Sequence, residues 1–259
     1  MNKKILKKMS PWLEYPVYVA LGAFTGFLNT VAGGGSLISM PVLIFMGLPG
    51  TVANGTNRVA TLAQNIFAVG GFHSKGIKLP FPYTYYLSAV SLAGGLIGAW
   101  LATDISDALF KRILALVMVA VVASIVFNRQ SSIKGDGEKM SAPRQVWGTI
   151  LFFLLGIYGG FLQAGIGFLV IALLTHVNHF NLIKVNYIKV FAAILYTGAA
   201  VFVFALSGKI IWAIGVTLAI GQGIGAWYAS RWSVEAGEKW IKRVLVVSVV
   251  VMAVKLWFF

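Results

Sequence analysis

The chain has 259 residues, 59% of them hydrophobic and only 11% charged, with a mean hydropathy of +0.85, far outside soluble globular norms. Cysteine is absent, which excludes disulfides, thiolate metal sites and thiol catalysis. The net charge of +14 lies in short loops and at the ends of apolar runs, not on one basic face; it reads as positive-inside anchoring, with attraction of an anion as the second account, and not as nucleic-acid binding.

Apolar runs of roughly 15–22 residues fill the chain, as in polytopic helical membrane proteins, and the short alternating segments of a β-barrel are missing. Lys3, Lys4, Lys7 and Lys8 precede the first run. No small-x-small cleavage pattern follows, so this segment reads as a cytoplasmic anchor. Five segments are expected in a first half: Val17–Thr30, Leu37–Leu48, Val52–Phe72, Tyr83–Ala102 and Leu109–Phe127. A polar stretch, Gln130–Arg144, follows. Five more segments make a second half: Val146–Leu162, Phe168–Thr175, Val185–Leu206, Ile210–Ala229 and Lys239–Leu256. The expected organisation is an N-terminal repeat over 1–129, a linker over 130–145 and a C-terminal repeat over 146–259.

The halves share motifs in one order. Gly22-Ala23-Phe24-Thr25-Gly26-Phe27-Leu28-Asn29 returns as Gly156-Ile157-Tyr158-Gly159-Gly160-Phe161-Leu162-Gln163. Ala32-Gly33-Gly34-Gly35 returns as Ala164-Gly165-Ile166-Gly167, and Asn54, Asn57 and Gly76 meet Asn186, Lys189 and Gly208. Ile97-Gly98-Ala99-Trp100 returns unchanged as Ile224-Gly225-Ala226-Trp227, and Lys111-Arg112 returns as Lys242-Arg243. Two such halves in a membrane predict a transporter with its substrate site between them, near mid-bilayer. Hairpin plus three spans, or five spans, is odd, and this parity favours an inverted second copy over a parallel one, a choice the distribution of Lys and Arg does not settle.

The first two segments of each half are expected to be too short to cross. Phe168–Thr175 makes roughly 12 Å of helix against a core of about 30 Å. Gly33-Gly34-Gly35 and Gly165-x-Gly167 separate each pair, so each reads as a broken helix or re-entrant hairpin, with irregular backbone facing protein or a wet cavity.

Four GxxxG pairs occur, Gly22/Gly26, Gly94/Gly98, Gly156/Gly160 and Gly221/Gly225. Close packing of helices at the seam between the halves accounts for them more simply than substrate contact. Asn54, Asn57, Arg58, Thr61, Gln64 and Asn65 fall on one helical face roughly 120° wide. Asn186, Lys189, Tyr196 and Thr197 take the matching positions. Polar and cationic groups inside spans face a bundle interior or cavity. The competing account has Arg58 and Lys189 snorkelling to headgroups, which leaves Gln64, Asn65 and Tyr196 unexplained. The candidate substrate-binding residues are Asn29, Gly33, Gly34, Gly35, Ser36, Asn54, Asn57, Arg58, Gln64, Gln163, Gly165, Gly167, Lys189 and Tyr196.

All seven carboxylates, Glu14, Asp104, Asp107, Asp136, Glu138, Glu235 and Glu238, fall in loops or at segment ends, whereas amides, hydroxyls, cations and helix N-termini suit an anion. Asp107/Lys111 and Glu238/Lys242 are i,i+4 pairs at the start of the fifth segments and read as caps and anchors. His73, His176 and His179 lie in loops without a third ligand, so no metal and no cofactor is expected. No Ser/His/Asp or Cys/His set exists, and GxxxxGK[ST] does not occur, so neither intramembrane catalysis nor ATP-driven pumping is expected.

The run Gly26-Phe27-Leu28-Asn29-Thr30-Val31-Ala32-Gly33-Gly34-Gly35-Ser36-Leu37-Ile38, then Pro41, Gly47-Leu48-Pro49 and Ala53-Asn54-Gly55-Thr56-Asn57-Arg58, resembles the TauE/SafE family of sulfite-exporter-like permeases. Ser207-Gly208-Lys209-Ile210-Ile211-Trp212 and the stretch ending Gly225-Ala226 resemble it too, so the resemblance covers nearly the whole chain. It implies a multi-pass permease of the cytoplasmic membrane for sulfite, sulfonates, sulfoacetate or related anions, with seven or eight spans. The expected function is secondary transport of a small anion, a sulfur oxyanion or organosulfonate. A passive anion channel is the alternative, and a membrane enzyme or scaffold ranks below both. The expected partners are the small anion and the lipid bilayer, without nucleic acid; a homo-oligomer is compatible with the sequence.

Overall fold

The computed structural model describes residues 11–127 and 138–257. Among them every regular element is helical: α1 Pro11–Val31, α2 Ser36–Phe45, α3 Gly50–Ser74, α4 Tyr83–Asp104, α5 Asp107–Phe127, α6 Ala142–Phe161, α7 Ile166–Val177, α8 Leu182–Leu206 and α9 Trp212–Trp257. The lysine-rich start and most of the polar linker lie outside the described residues.

Two expectations need correction. The first pair of segments in each half is not uniformly short. α1 has 21 residues and α6 has 20, and only α2 and α7, with 10 and 12, stay well under a bilayer's thickness. The fourth and fifth segments of the second half are a single helix of 46 residues. The polar stretch between them, Ser230–Glu238, contains no proline, so nothing in its backbone stops the helix. Two helices, α4 and α8, are long and apolar enough to cross a membrane by length and composition. Large apolar side chains such as Phe45, Trp100, Trp147 and Leu206 stand exposed on the surface, which suits contact with lipid.

The glycines set which helices touch. Gly22 backs onto Leu218 and Gly26 onto Gln222, so α1 and α9 run side by side in the same direction. Gly94 backs onto Phe153 and Gly98 onto Ile157, so α4 and α6 are parallel in the same way. In both seams a Cβ would collide with partner backbone, which is the physical requirement for GxxxG. α3 also follows α9: Thr56 Oγ1 accepts from Ile211 N at 3.0 Å, and Gly71 meets Ser230 further along. α8 follows α4, with Gly95 against Tyr196 and Ala99 clustered with Ala200. α3 and α8 run in opposite directions, since Gly55 meets Phe204 while Phe72 stacks on Tyr187 at 5.3 Å. The described helices thus form two sets: α1, α3 and the first part of α9 point one way, and α4, α6 and α8 the other.

Candidate functional site

α3 carries the polar face anticipated from its periodicity, and Asn54, Asn57, Arg58, Thr61, Gln64 and Asn65 are all buried. Its N-terminus is fixed by Asp107, whose carboxylate accepts from Gly50 N and pairs with Lys111 at 2.7 Å. This bends the reading of Asp107/Lys111 as a local cap into a tie between α5 and α3. The side chains of Glu238 and Lys242 lie outside the described set.

Neither buried cation snorkels. Arg58 is 0% exposed and reaches the end of α6: it donates to the Gly159 carbonyl, to the Gly160 carbonyl at 2.8 Å and to Asn54 Oδ1 at 3.2 Å. Asn54 Nδ2 then donates to the carbonyl of Phe161, the last residue of α6, at 2.8 Å. Lys189, 5% exposed, reaches the end of α1 in the same manner. Its ammonium donates to the Asn29 carbonyl at 3.1 Å, the Thr30 carbonyl at 2.9 Å and Asn186 Oδ1 at 2.7 Å. Asn186 Nδ2 donates to the carbonyl of Val31, the last residue of α1, at 3.1 Å. A cation with an asparagine four or three residues before it therefore caps the terminal carbonyls of a helix in the other half. The caps match the partial negative charge of a helix C-terminus. Among the described carboxylates none is buried, so these two positive charges have no buried acidic neighbour.

Both capped helices end on a left-handed residue: Gly33 with φ +86°, and Gln163 with φ +63°, followed by Gly165 at φ +73°. Gln163 is a side-chain-bearing residue in a region that disfavours one, which marks the second turn as the more constrained. The turns meet. A Cβ on Gly33 would strike the Gly167 backbone, and one on Gly167 would strike Gly33, so the two chains cross with no room for a side chain. Gly34, Gly35 and Ser36 are buried beside this crossing.

The remaining candidates frame it. Asn29 Nδ2 donates to Gln64 Oε1 at 3.0 Å, and Gln64 Nε2 to Asn65 Oδ1 at 3.3 Å. On the other side Gln163 Nε2 donates to Thr197 Oγ1 at 3.1 Å, and the Tyr196 ring covers Gly159. Asn29 and Gln163 hold the matching positions in the two repeats of sequence, and each bonds the long polar helix of its own half. Arg58 and Lys189 are brought to the C-terminal ends of two different helices, α6 and α1, and not onto one shared partner. Sequence reasoning missed Gln222 of α9, which is 2% exposed and offers Nε2 to Asn57 Oδ1 at 3.4 Å. The signal was present as the single amide inside the Gly221/Gly225 strip. Among the described residues, four buried side-chain polar atoms have no hydrogen-bond partner: Thr30 Oγ1, Asn65 Nδ2, Gln163 Oε1 and Gln222 Oε1. A separate cleft of about 280 Å³, lined by Tyr83, Tyr86, Gln145, Val146, Thr149 and Ile150, sits at the opposite end of α4 and α6 from this crossing. No cluster of His and carboxylates able to hold a metal occurs among the described residues.

An all-helical chain with apolar outward faces and a buried polar centre at two crossed glycine turns defines a helical membrane transporter. The chain belongs to the sulfite exporter TauE/SafE family, whose model matches residues 18–256. It is 27% identical over 244 residues to a probable membrane transporter protein, ORF9, of a Sinorhizobium species, covering 92% of this chain and 91% of that one. It is 25% identical over 240 residues to a probable membrane transporter protein of Haemophilus influenzae, covering 93% of each chain. It is 27% identical over 233 residues to the probable membrane transporter protein YfcA of Escherichia coli K12, covering 89% of this chain and 85% of that one. No solved structure matches. The family and these relatives point to a transporter and not to an enzyme.

Proposed function

We infer that this chain is a multi-pass secondary transporter of the cytoplasmic membrane, moving a small anion of the sulfur oxyanion or organosulfonate type. One observation carries the reading: two buried cations, Arg58 and Lys189, flank a crossing of glycine backbone, and no described carboxylate is buried with them. Such a centre repels cations and favours an anion. The substrate lies beside the crossing, held by Asn29, Gln64, Gln163 and Tyr196 with the Gly33–Ser36 and Gly165–Gly167 backbone, while Asn54, Asn57, Arg58 and Lys189 set the field. The halves, 1–129 and 146–259, act as inverted repeats. Support comes from the opposite directions of α1 and α6, and of α3 and α8, which hold matching motifs. The near-complete burial of the centre favours alternating access over an open pore.

Purified chain in liposomes, loaded with excess unlabelled sulfite and given labelled sulfite outside, tests the reading. A transient accumulation of label above equilibrium is expected. Simple equilibration would identify a channel instead, and the absence of anion flux for sulfite and for sulfonates would overturn the reading.

A further inference from the structure

We propose that Gln222 is a specificity residue of this centre, and that the transported ion is a monoanion carrying its own O–H donor. The inference rests on the anion reading above and narrows it. Gln222 lies on α9, where the Gly26 backbone of α1 packs against its own backbone, and its amide is held on one side only. Nε2 faces Asn57 Oδ1 at 3.4 Å and Thr25 Oγ1 at 3.5 Å. The Thr25 hydroxyl spends its single proton on the Leu21 carbonyl at 2.8 Å, so only an N–H can face it from Gln222. In this arrangement the atom left without a partner is Oε1, an acceptor.

Gln163 is likewise 3% exposed, and its Oε1 has no partner while Nε2 faces the Thr197 hydroxyl. An anion with bare oxygens pairs with Asn65 Nδ2 and Thr30 Oγ1, the other two unmatched atoms, but offers nothing to the glutamine oxygens. A buried acceptor left unpaired is costly, so a ligand that brings a donor is preferred over an isostere that lacks one. The cations do not reverse this preference. All three protons of the Lys189 ammonium are already engaged, two by carbonyls and one by Asn186, so it acts on the ion through its charge and not through contact. The ligand class is therefore a protonated oxyanion or a hydroxy-substituted sulfonate, in preference to a dianion or a plain alkylsulfonate.

The test is a thermal-shift titration of the purified full chain with isethionate and ethanesulfonate, which differ by one hydroxyl. Isethionate is expected to bind about tenfold more tightly, the size of one hydrogen bond to an otherwise unpaired buried acceptor. In Gln222→Leu the ratio of the two dissociation constants should fall toward one, whatever the absolute affinity. Gln222→Met, unbranched and of similar length, serves if the leucine variant does not fold. Parity in the parent protein, a preference for ethanesulfonate, or a tenfold ratio that survives in the variants overturns this inference and leaves the anion reading standing. A protein stabilised by neither sulfonate overturns it together with the organosulfonate arm of that reading, which sulfite counterflow tests separately.

Discussion

Gly33 and Gly167 lie backbone against backbone, at the point where the turn after α1 crosses the first turn of α7. Gly167→Ala places a methyl where the Gly33 backbone now sits, and no flexible side chain is available to yield. Overpacking of this kind costs roughly 1–3 kcal/mol. The melting temperature should fall by several degrees and sulfite counterflow should be lost. Gly76→Ala, at a turn whose added Cβ would meet open space, suffers only from its positive φ and should keep its transport. Equal flux from the two variants would argue against the crossing as the transport centre.

Lys189→Ala removes a buried charge, takes the ammonium from the Thr30 carbonyl and leaves the Asn29 carbonyl only its bond from Gly33 N, whereas Lys184→Ala removes an exposed pairing with Glu138. Exposed pairs contribute at most about 1 kcal/mol. Lys189→Ala is therefore expected to reduce anion flux at least tenfold and Lys184→Ala less than twofold, in liposomes matched for protein amount. Similar losses from both would remove the special role assigned to Lys189.

Arg58→Lys is not conservative here. The guanidinium reaches two carbonyls of α6 and Asn54 Oδ1 at once, and a lysine ammonium cannot reproduce that planar fork. Each lost bond leaves a buried group unpaired at roughly 1–3 kcal/mol. A large drop in thermal stability is expected from the lysine variant, with Asn54→Ala producing a smaller drop in the same direction. An unchanged melting temperature in Arg58→Lys would contradict the capping role.

Single alanine replacements of the seven carboxylates and three histidines should each leave the pH dependence of flux in place. The described carboxylates all keep some exposure, so none is positioned as a buried proton carrier. The pH dependence then belongs to the ion itself, to Lys189 or to groups at the rim. One replacement that abolishes it while sparing protein level and substrate binding would identify a side-chain carrier.

The polar face of α3 was legible because its amides and Arg58 repeat at the helical period, and the glycine seams were legible because each GxxxG has a mate. What those features touch was not. Periodicity places Arg58 on a face, but only the crossing of helices brings it to the carbonyls of Gly159 and Gly160. The length of α1 was hidden because Glu14 and Pro16 interrupt its apolar run, although both fit near a helix start. The continuity of α9 was hidden by Arg231, Glu235 and Glu238, which read as a loop yet are good helix formers. Gln222 escaped notice because its sequence counterpart is Gly95, so comparison of the halves offered no polar partner for it.

The paired glycine seams divide the molecule along a line that differs from the division of its sequence. Backbone resting on backbone leaves no side chains to slide or repack, so the joints of α1 with α9, and of α4 with α6, have no side-chain slack to yield. Each joint fastens an early helix to a late one. Relative motion is left to the surfaces where the two oppositely directed sets face each other, above all α3 against α8, which carry the capping cations. A push delivered through Arg58 or Lys189 is thus transmitted between bodies that each contain helices from before and after the polar stretch Gln130–Arg144, and neither part of the sequence can shift without dragging a helix of the other along.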